Sequence, residues 1–361
     1  MQPTTNHRAV VTRHGGPEVL QFVEADRPEP GPGEVRVAVE AAGVSAFDLI
    51  YRRWAHLPGS LKVPFALGED IVGVVDELGP GVTSLEVGQR VAGGTWSLGV
   101  GGGYAEAVCL SEGELVPVPA GLDPAVAVCL VVNYLTAYLH LHRFGEARRD
   151  QRLLVHGAAG GVGSATLELG RRTGLEMYGT ASAENHDDVA ALGATPIDYR
   201  RDDFVERIQD LTDDGVDLVI DTVGGWTQLW RSYRTLRGGG RLVWLGSAGT
   251  HKDGLRTGLL SLLLAPLLRI VPDGKHMART TDLGKFALDH GDWYRRTLAE
   301  LLDLAARGEL QPIVAERIPL AEAARAHALL ERGGHAGKIV LVTGAAGASN
   351  VFRESVGAAA H

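Results

Sequence analysis

Hydrophobic and polar positions change rhythm near residue 123. Before it, short apolar runs are cut by glycine and proline, and Glu34 to Ala42 alternates residue by residue. Such runs predict strands at Ala9 to Thr12, Leu20 to Glu24, Glu34 to Ala42, Val72 to Leu78, Gln89 to Ala92 and Tyr104 to Leu110. His14-Gly-Gly-Pro17, Pro28 to Gly33 and Gly79-Pro-Gly81 are the turns between them. Beyond Asp123 the period lengthens, and Pro124 to Leu141 reads as a helix. Strands at Leu153 to Val155, Glu176 to Thr180, Leu218 to Asp221 and Arg241 to Leu245 then alternate with helices at Ser164 to Arg172, Asp187 to Leu192 and Phe204 to Asp210. That order predicts right-handed βαβ units on a parallel sheet. Helices at Trp293 to Arg307 and Leu320 to Arg332, each stopped by glycine, and a strand at Lys338 to Val342 complete the pattern.

The junction Leu153-Leu-Val-His-Gly-Ala-Ala-Gly-Gly-Val-Gly-Ser164 carries the clearest chemistry. Gly160 and Gly163 fill the second and third positions of G-x-G-x-x-G, and Ala158 takes the first. In a strand–turn–helix context, the second glycine lets backbone approach a pyrophosphate and the third lets the helix pack close to its strand. The free N–H groups and positive dipole end of the helix favour the phosphate charge. Ala159, Gly160, Gly161, Val162 and Gly163 are therefore candidate dinucleotide contacts.

At 361 residues the chain is long enough for two domains. Hydrophobic content of 45% and charged content of 22% are those of a soluble globular protein, and a net charge of −9 argues against nucleic acid as a partner. Only Cys109 and Cys129 are present, too few for a disulfide framework or a four-cysteine zinc lobe, which points to a reducing cytoplasm. MQPTTNHRAV lacks the apolar core of a signal peptide. The apolar stretch from Leu259 to Ile270, broken by Pro266 and Arg269, falls short of the roughly 20 residues a membrane span needs. It is expected to be a buried or partner-covered helix, and no membrane partner is expected. The tail from Gly344 to His361 is expected to be disordered.

Read together, the motifs resemble a zinc-independent medium-chain dehydrogenase/reductase of the quinone oxidoreductase type. The resemblance rests on Gly15-Gly-Pro-Glu-Val-Leu20, Glu29-Pro-Gly-Pro-Gly-Glu34, Ala42-Gly-Val-Ser45, Gly102-Gly-Tyr-Ala-Glu106 and Leu135-Thr-Ala-Tyr138. It continues through the glycine turn, Leu192-Gly-Ala194, Asp221-Thr-Val-Gly-Gly225 and Gly337-Lys-Ile-Val-Leu341. It implies an α/β protein: a GroES-like, mostly β catalytic domain plus a Rossmann doubly wound parallel-sheet domain, with the active cleft between them. The implied boundaries are 1–128 for the first part of the catalytic domain, 129–280 for the nucleotide-binding domain, and 281–343 for the return to the catalytic domain. A homodimer is the family default.

The resemblance also implies site residues. Zinc-dependent relatives carry ligands at the positions of Ser45, Glu69 and near Val132; the serine and valine supply no thiolate, so no zinc is expected. A metal-free site suits hydride transfer to the β-carbon of a small hydrophobic enone or quinone, with fixed donors stabilising the oxygen. Ser45 stands where zinc-free relatives place Asn before the nicotinamide, its hydroxyl either donating to the substrate oxygen or making a plain loop hydrogen bond, and Asp48 reads as a structural cap or turn residue. His56 falls where a Tyr is common, with Tyr51 nearer; either is a candidate proton donor. Asn133, Thr136, Val223 and Gly246 are candidate cofactor contacts, while Trp96 either lines the cleft or caps the β core. At the adenosine end, Ser182 and Tyr199 leave room for a 2′-phosphate where an NAD enzyme carries an acid. Glu184 opposes that phosphate, and Arg200 or Arg201 offsets it. The reading favours NADPH over NADH. A non-redox protein on the same scaffold, an NADPH sensor or a cyclase or dehydratase, is the alternative.

Overall fold

The computed structural model describes residues 5–53, 62–99, 101–245, 260–261 and 263–344. The chain divides into two compact units: Met1–Val132 with Gly284–Gly333 and Lys338–His361, and Asn133–Leu283 with Gly334–Gly337.

The first unit is mostly antiparallel. Its strands are β1 (Thr5–Val11), β2 (Leu20–Asp26), β3 (Glu34–Gly43), β4 (Phe65–Ala66), β5 (Asp70–Leu78), β6 (Arg90–Gly94), β7 (Ala107–Ser111) and β8 (Leu115–Pro117). Two more, Val314–Pro319 and Lys338–Val342, arrive from the C-terminal part of the chain. The ten-residue β3 organises this unit because it pairs with β5, with β7 and with the C-terminal strand Lys338–Val342. Alternation explains its position: Val35, Val37 and Val39 turn into a core shared with Val11, Ile71, Val91, Leu110, Ile318 and Leu341. Helix α1 (Ala46–Arg53) follows β3 directly.

A helix from Pro124 to Phe144, α2, precedes the second sheet. Two of its stretches, Leu130–Tyr134 and Leu139–Phe144, are widened to i→i+5 turns, a distortion that often accompanies functional sites. By length and composition α2 alone among the described helices could cross a membrane (mean hydropathy 1.6), and 72% of that window is buried within the protein. The sequence reading singles out Leu259 to Ile270 instead. In the described part of that segment, Ala265 and Leu268 are buried, whereas Leu263 and Ile270 are 64% and 75% exposed. The described residues of this segment are helical, ending in the turn Ala265–Arg269, and their outward leucines do not fit a helix buried within this chain, which leaves the partner-covered alternative open.

In the second unit the strands are β9 (Arg152–His156), β10 (Glu176–Ala181), β11 (Ala194–Asp198), β12 (Val216–Asp221), β13 (Leu236–Trp244) and β14 (His276–Met277). They are all parallel, in the order β11-β10-β9-β12-β13-β14. This is the doubly wound nucleotide-binding order, whose topological switch point lies between β9 and β12. Helices α3 (Gly161–Thr173), α4 (His186–Ala191), α5 (Phe204–Leu211) and α6 (Trp226–Arg234) connect the strands. β11 is missing from the sequence pattern because Pro196 interrupts a short run, and α1 and α6 because their polar residues blur the helical period. Two C-terminal helices, α7 (Leu283–Asp289) and α8 (Gly291–Ala306), precede the strand β15 (Val314–Pro319). The helix α9 (Ala323–Arg332) and the strand β16 (Lys338–Val342) close the described chain. The tail at 345–361, including most of the expected disordered segment, lies outside the described residues.

Candidate functional site

The glycine turn sits at the carboxyl end of β9, at the switch point. Gly157 adopts φ +68°, which favours glycine, and the turn closes with the Gly160 amide donating to the Gly157 carbonyl at 3.0 Å. Helix α3 then starts with Gly160 as its N-cap and no side chain capping it. The glycines differ in what surrounds them. A Cβ on Gly163 would lie 2.1 Å from the Gly157 carbonyl oxygen and 2.8 Å from Ala158 Cα, so this glycine lets helix and turn touch. A Cβ on Gly161 would strike the Asn133 side chain at 2.2 Å. Gly160 is different: its nearest neighbour would be the Gly157 oxygen at 3.3 Å, with nothing else within 4 Å. That open, uncapped edge is a cradle with the shape and polarity for a diphosphate.

The same unit gathers several sequence candidates around this turn. Asn133 packs on Gly161, and Thr136 lies one turn further along the same face of α2. A Cβ on Gly157 would meet Val223 Cγ2 at 3.6 Å, which places Val223 beside the turn. Asp221 holds that loop, accepting from the Val223 and Gly224 amides at 2.9 and 2.8 Å. Ser182 and Tyr199 each follow a strand end, and the adjoining residues Ala181 and Asp198 are paired in register. Ser182 is buried and Tyr199 half exposed. Glu184 faces Arg200 at 3.2 Å, and this guanidinium also stands 5.6 Å from the Tyr199 ring centroid. The acid and the base expected at the adenosine end thus pair with each other. Arg201 is 3.7 Å from Asp198.

A contact not legible in the sequence comes from the segment after α9. The Gly337 amide donates to the Ala159 carbonyl at 2.8 Å, forming a bridge beside Gly160. Gly333-Gly334 marks the end of a helix, but no local signal says where the chain then lands.

In the first unit, Ser45 Oγ donates to Glu69 Oε2 at 3.1 Å and accepts from the Asp48 amide at 3.3 Å. Its proton is thus engaged by a carboxylate. Burial pushes the Asp48 carboxyl up to about 6, against the Ser45 and Gly68 amides and the Tyr104 hydroxyl, which lower it. The Tyr51 ring packs on the β core, 6.5 Å from Phe47. Trp96 stacks edge-on against Tyr294 at 5.3 Å and covers Gly94 and Gly284, so its ring caps the core of this unit. It also lines a cavity of about 340 Å³ with Ser97, Glu114 and Arg295. His56 and Gly246 lie outside the described residues.

Two family models match the chain: an alcohol dehydrogenase GroES-like domain over residues 31–120 and a zinc-binding dehydrogenase over residues 192–341. A quinone oxidoreductase of Pseudomonas aeruginosa is 33% identical over 334 residues, covering 91% of this chain and 97% of that protein. The chain belongs to the quinone-oxidoreductase-like medium-chain dehydrogenases/reductases. Another member, a mycobacterial protein solved in complex with NADPH, is 30% identical with a TM-score of 0.81, covering 93% of this chain and 99% of that one. A mycocerosic acid synthase-like polyketide synthase of Mycobacterium tuberculosis is 31% identical over 95% of this chain, and the chain spans 16% of its length.

Zinc appears in the name of one family model, so the donor set was tested at the ligand positions. Ser45 offers a hydroxyl already bonded to Glu69, and Val132 offers only alkyl groups. Asp70, beside Glu69, is fully buried against Lys338 Nζ at 2.9 Å. Two of the three positions thus supply no thiolate, and Glu69 alone is left as a metal donor, which does not make a catalytic zinc site. Among the described residues no three His, Cys, Asp or Glu side chains converge.

Proposed function

We propose that this quinone-oxidoreductase-like protein is a metal-free, NADPH-dependent reductase of α,β-unsaturated carbonyls or quinones. The observation that carries the reading is the uncapped N-terminus of α3, opening on Gly160 at the switch point of a parallel sheet. The preference for NADPH draws support from the small buried Ser182, from Arg200 beside Tyr199, and from the NADPH-bound mycobacterial relative. A quinone or enone substrate draws support from the Pseudomonas relative and from a site without thiolate ligands.

In this reading, Ala159, Gly160, Gly161, Val162 and Gly163 hold the pyrophosphate. Ser182 and Tyr199 hold the adenosine end, and Asn133, Thr136, Val223 and Gly246 border the nicotinamide ribose. The cofactor supplies the hydride. Ser45 meets the substrate oxygen, with His56 or Tyr51 as the other proton sources. The Ser45–Glu69 hydrogen bond adds a condition. An ionised Glu69 draws the Ser45 proton away and repels charge developing on that oxygen; a protonated Glu69 donates to Ser45 and frees the Ser45 proton for the substrate. Free thiols at Cys109 and Cys129 suit the cytoplasm, and a homodimer belongs to the same proposal.

The test is parallel titration of the purified protein with NADPH and NADH, followed by NADPH oxidation with 1,4-naphthoquinone and an aliphatic enone. Tight NADPH binding with turnover supports the reading. Binding without turnover favours the non-redox alternative, and binding of neither nucleotide ends the reductase reading.

A further inference from the structure

A chain of buried side chains runs through the first unit from α9 to the Ser45 loop. Arg52, Asp48, Tyr104 and His327 are each fully buried. Glu331 on α9 pairs with Arg52. Arg52 Nη1 lies 3.0 Å from His327 Nδ1, His327 Nε2 lies 3.2 Å from the Tyr104 hydroxyl, and that hydroxyl donates to Asp48 Oδ2 at 3.0 Å.

The donor inventory fixes every direction in this chain. Arginine only donates, so His327 Nδ1 accepts, and Nε2 must carry the imidazole proton. The Nε2–H then donates to the Tyr104 oxygen, leaving the tyrosine proton for Asp48. Burial and the neighbouring Arg52 push His327 down to about 3, which keeps this neutral tautomer in place. Gly68 permits the arrangement: at φ +97° it has no Cβ, which would otherwise stand 2.5 Å from the Tyr104 ring.

Asp48 is where the chain ends, and its two oxygens do different work. Oδ2 accepts from the Ser45 amide at 2.8 Å, and Oδ1 accepts from the Gly68 amide at 3.1 Å. One carboxylate therefore holds the backbone at Ser45 and the backbone next to Glu69. Those are the two partners of the Ser45–Glu69 hydrogen bond.

We propose that Asp48, Tyr104, His327 and Arg52 form a positioning relay that anchors the Ser45–Glu69 pair to α9 and releases it when Asp48 takes a proton. The proposal rests on Ser45 being the residue that meets substrate. Protonation turns one Asp48 oxygen from acceptor to donor while three N–H and O–H donors still point at the group; release keeps Asp48 buried but removes the Ser45 and Gly68 amides that hold its carboxyl down, so locally the proton favours the released loop even though it favours the fold over the unfolded chain. Tyr104 and the Asp70–Lys338 pair face Asp48, of which Asp70 favours the protonated form, while His327 and Glu69 act on the Tyr104 hydroxyl. Tyr104 opposes it by donating, so removal of this hydroxyl moves the release to higher pH.

The test combines amide hydrogen exchange with kinetics on the full chain. In the unmodified protein, protection of the Ser45 and Gly68 amides is expected to fall between pH 7.5 and 5, with that of Val37 and Val39 in β3 retained. In Tyr104→Phe the loss is expected at higher pH. Turnover of 1,4-naphthoquinone is expected to drop about tenfold at pH 7 through misplacement of the site, with the NADPH dissociation constant within about twofold. Unchanged protection at Ser45 and Gly68 across the pH range in the unmodified protein overturns the relay, whatever the variant does. Normal protection changes without turnover leave the relay standing and count against the reductase reading alone.

Discussion

Gly160 and Gly163 sit three residues apart in one turn, yet alanine at the two positions should fail in opposite ways. At Gly163 a Cβ would lie 2.1 Å from the Gly157 oxygen and within 2.9 Å of two Ala158 backbone atoms. None of these is a flexible side-chain end, so helix and turn must separate. Overpacking of this kind costs about 1–3 kcal/mol, offset by the roughly 1 kcal/mol that alanine gains over glycine inside a helix. The contacted atoms are backbone, so the net loss sits at the upper end, about 2 kcal/mol, or about 3 °C in the melting temperature of a 361-residue chain. Gly160 has φ −65° and no atom closer than 3.3 Å to an added Cβ. The unfolded-state gain of about 0.4–1 kcal/mol is cancelled within a few tenths by the poorer N-cap quality of alanine. Stability should stay within about 0.5 kcal/mol while the methyl group occupies the proposed pyrophosphate cradle. A loss of about 1.4 kcal/mol or more in NADPH binding, a tenfold rise in dissociation constant, is expected for Gly160→Ala. Thermal melts of the cofactor-free variants and NADPH titration by nicotinamide fluorescence read both quantities. NADPH affinity unchanged in Gly160→Ala, in a variant that melts like the parent, would refute the assignment of the cradle.

Three further outcomes follow from ionisable groups. Removing one member of the Lys338–Asp70 pair by Lys338→Met leaves an unpaired buried carboxylate and should cost about 3–5 kcal/mol in urea denaturation, with most of it restored by adding Asp70→Leu; no recovery in the double variant would contradict that account. His140, pushed down to about 4 by burial, and His327, pushed down to about 3, remain neutral in the folded chain. Their stabilisation is complete above the ordinary histidine value near 6.5 and is lost as pH falls through it, by about 3 kcal/mol for His140 alone by pH 4. Asp48, raised to about 6, works in the reverse sense over a narrower window, so a net fall in the urea midpoint between pH 7 and pH 4.5 is expected, and a flat profile would count against it. At the proposed adenosine end Arg200 pairs with Glu184, so Arg200→Ala leaves that carboxylate uncompensated beside a 2′-phosphate and should weaken NADPH several-fold more than NADH; equal effects in side-by-side titrations would remove Arg200 from cofactor choice.

Periodicity and glycine spacing determined much of this protein. The alternation of Glu34 to Ala42 and the run Leu153 to Val155 into Gly157 to Gly163 each encode a strand and its neighbour locally. Steric and solvation preferences act over a few residues there, and the motif resemblance placed Ser45, Ser182 and the turn. What only tertiary structure decided involves partners far apart in the chain. Ser45 reads in the sequence either as a donor to substrate or as a plain loop hydrogen bond, and only the fold names its partner, Glu69, 24 residues away. Asp48 reads as a loop cap, and it is also the terminus of a chain that reaches His327, 279 residues on, through Tyr104, with Arg52 beyond it. Gly337 reaches the Ala159 carbonyl from the far end of the sequence. Such contacts leave no periodic trace, because a hydrogen bond between distant side chains needs only one residue at each end. Only the folded backbone sets the distance between them.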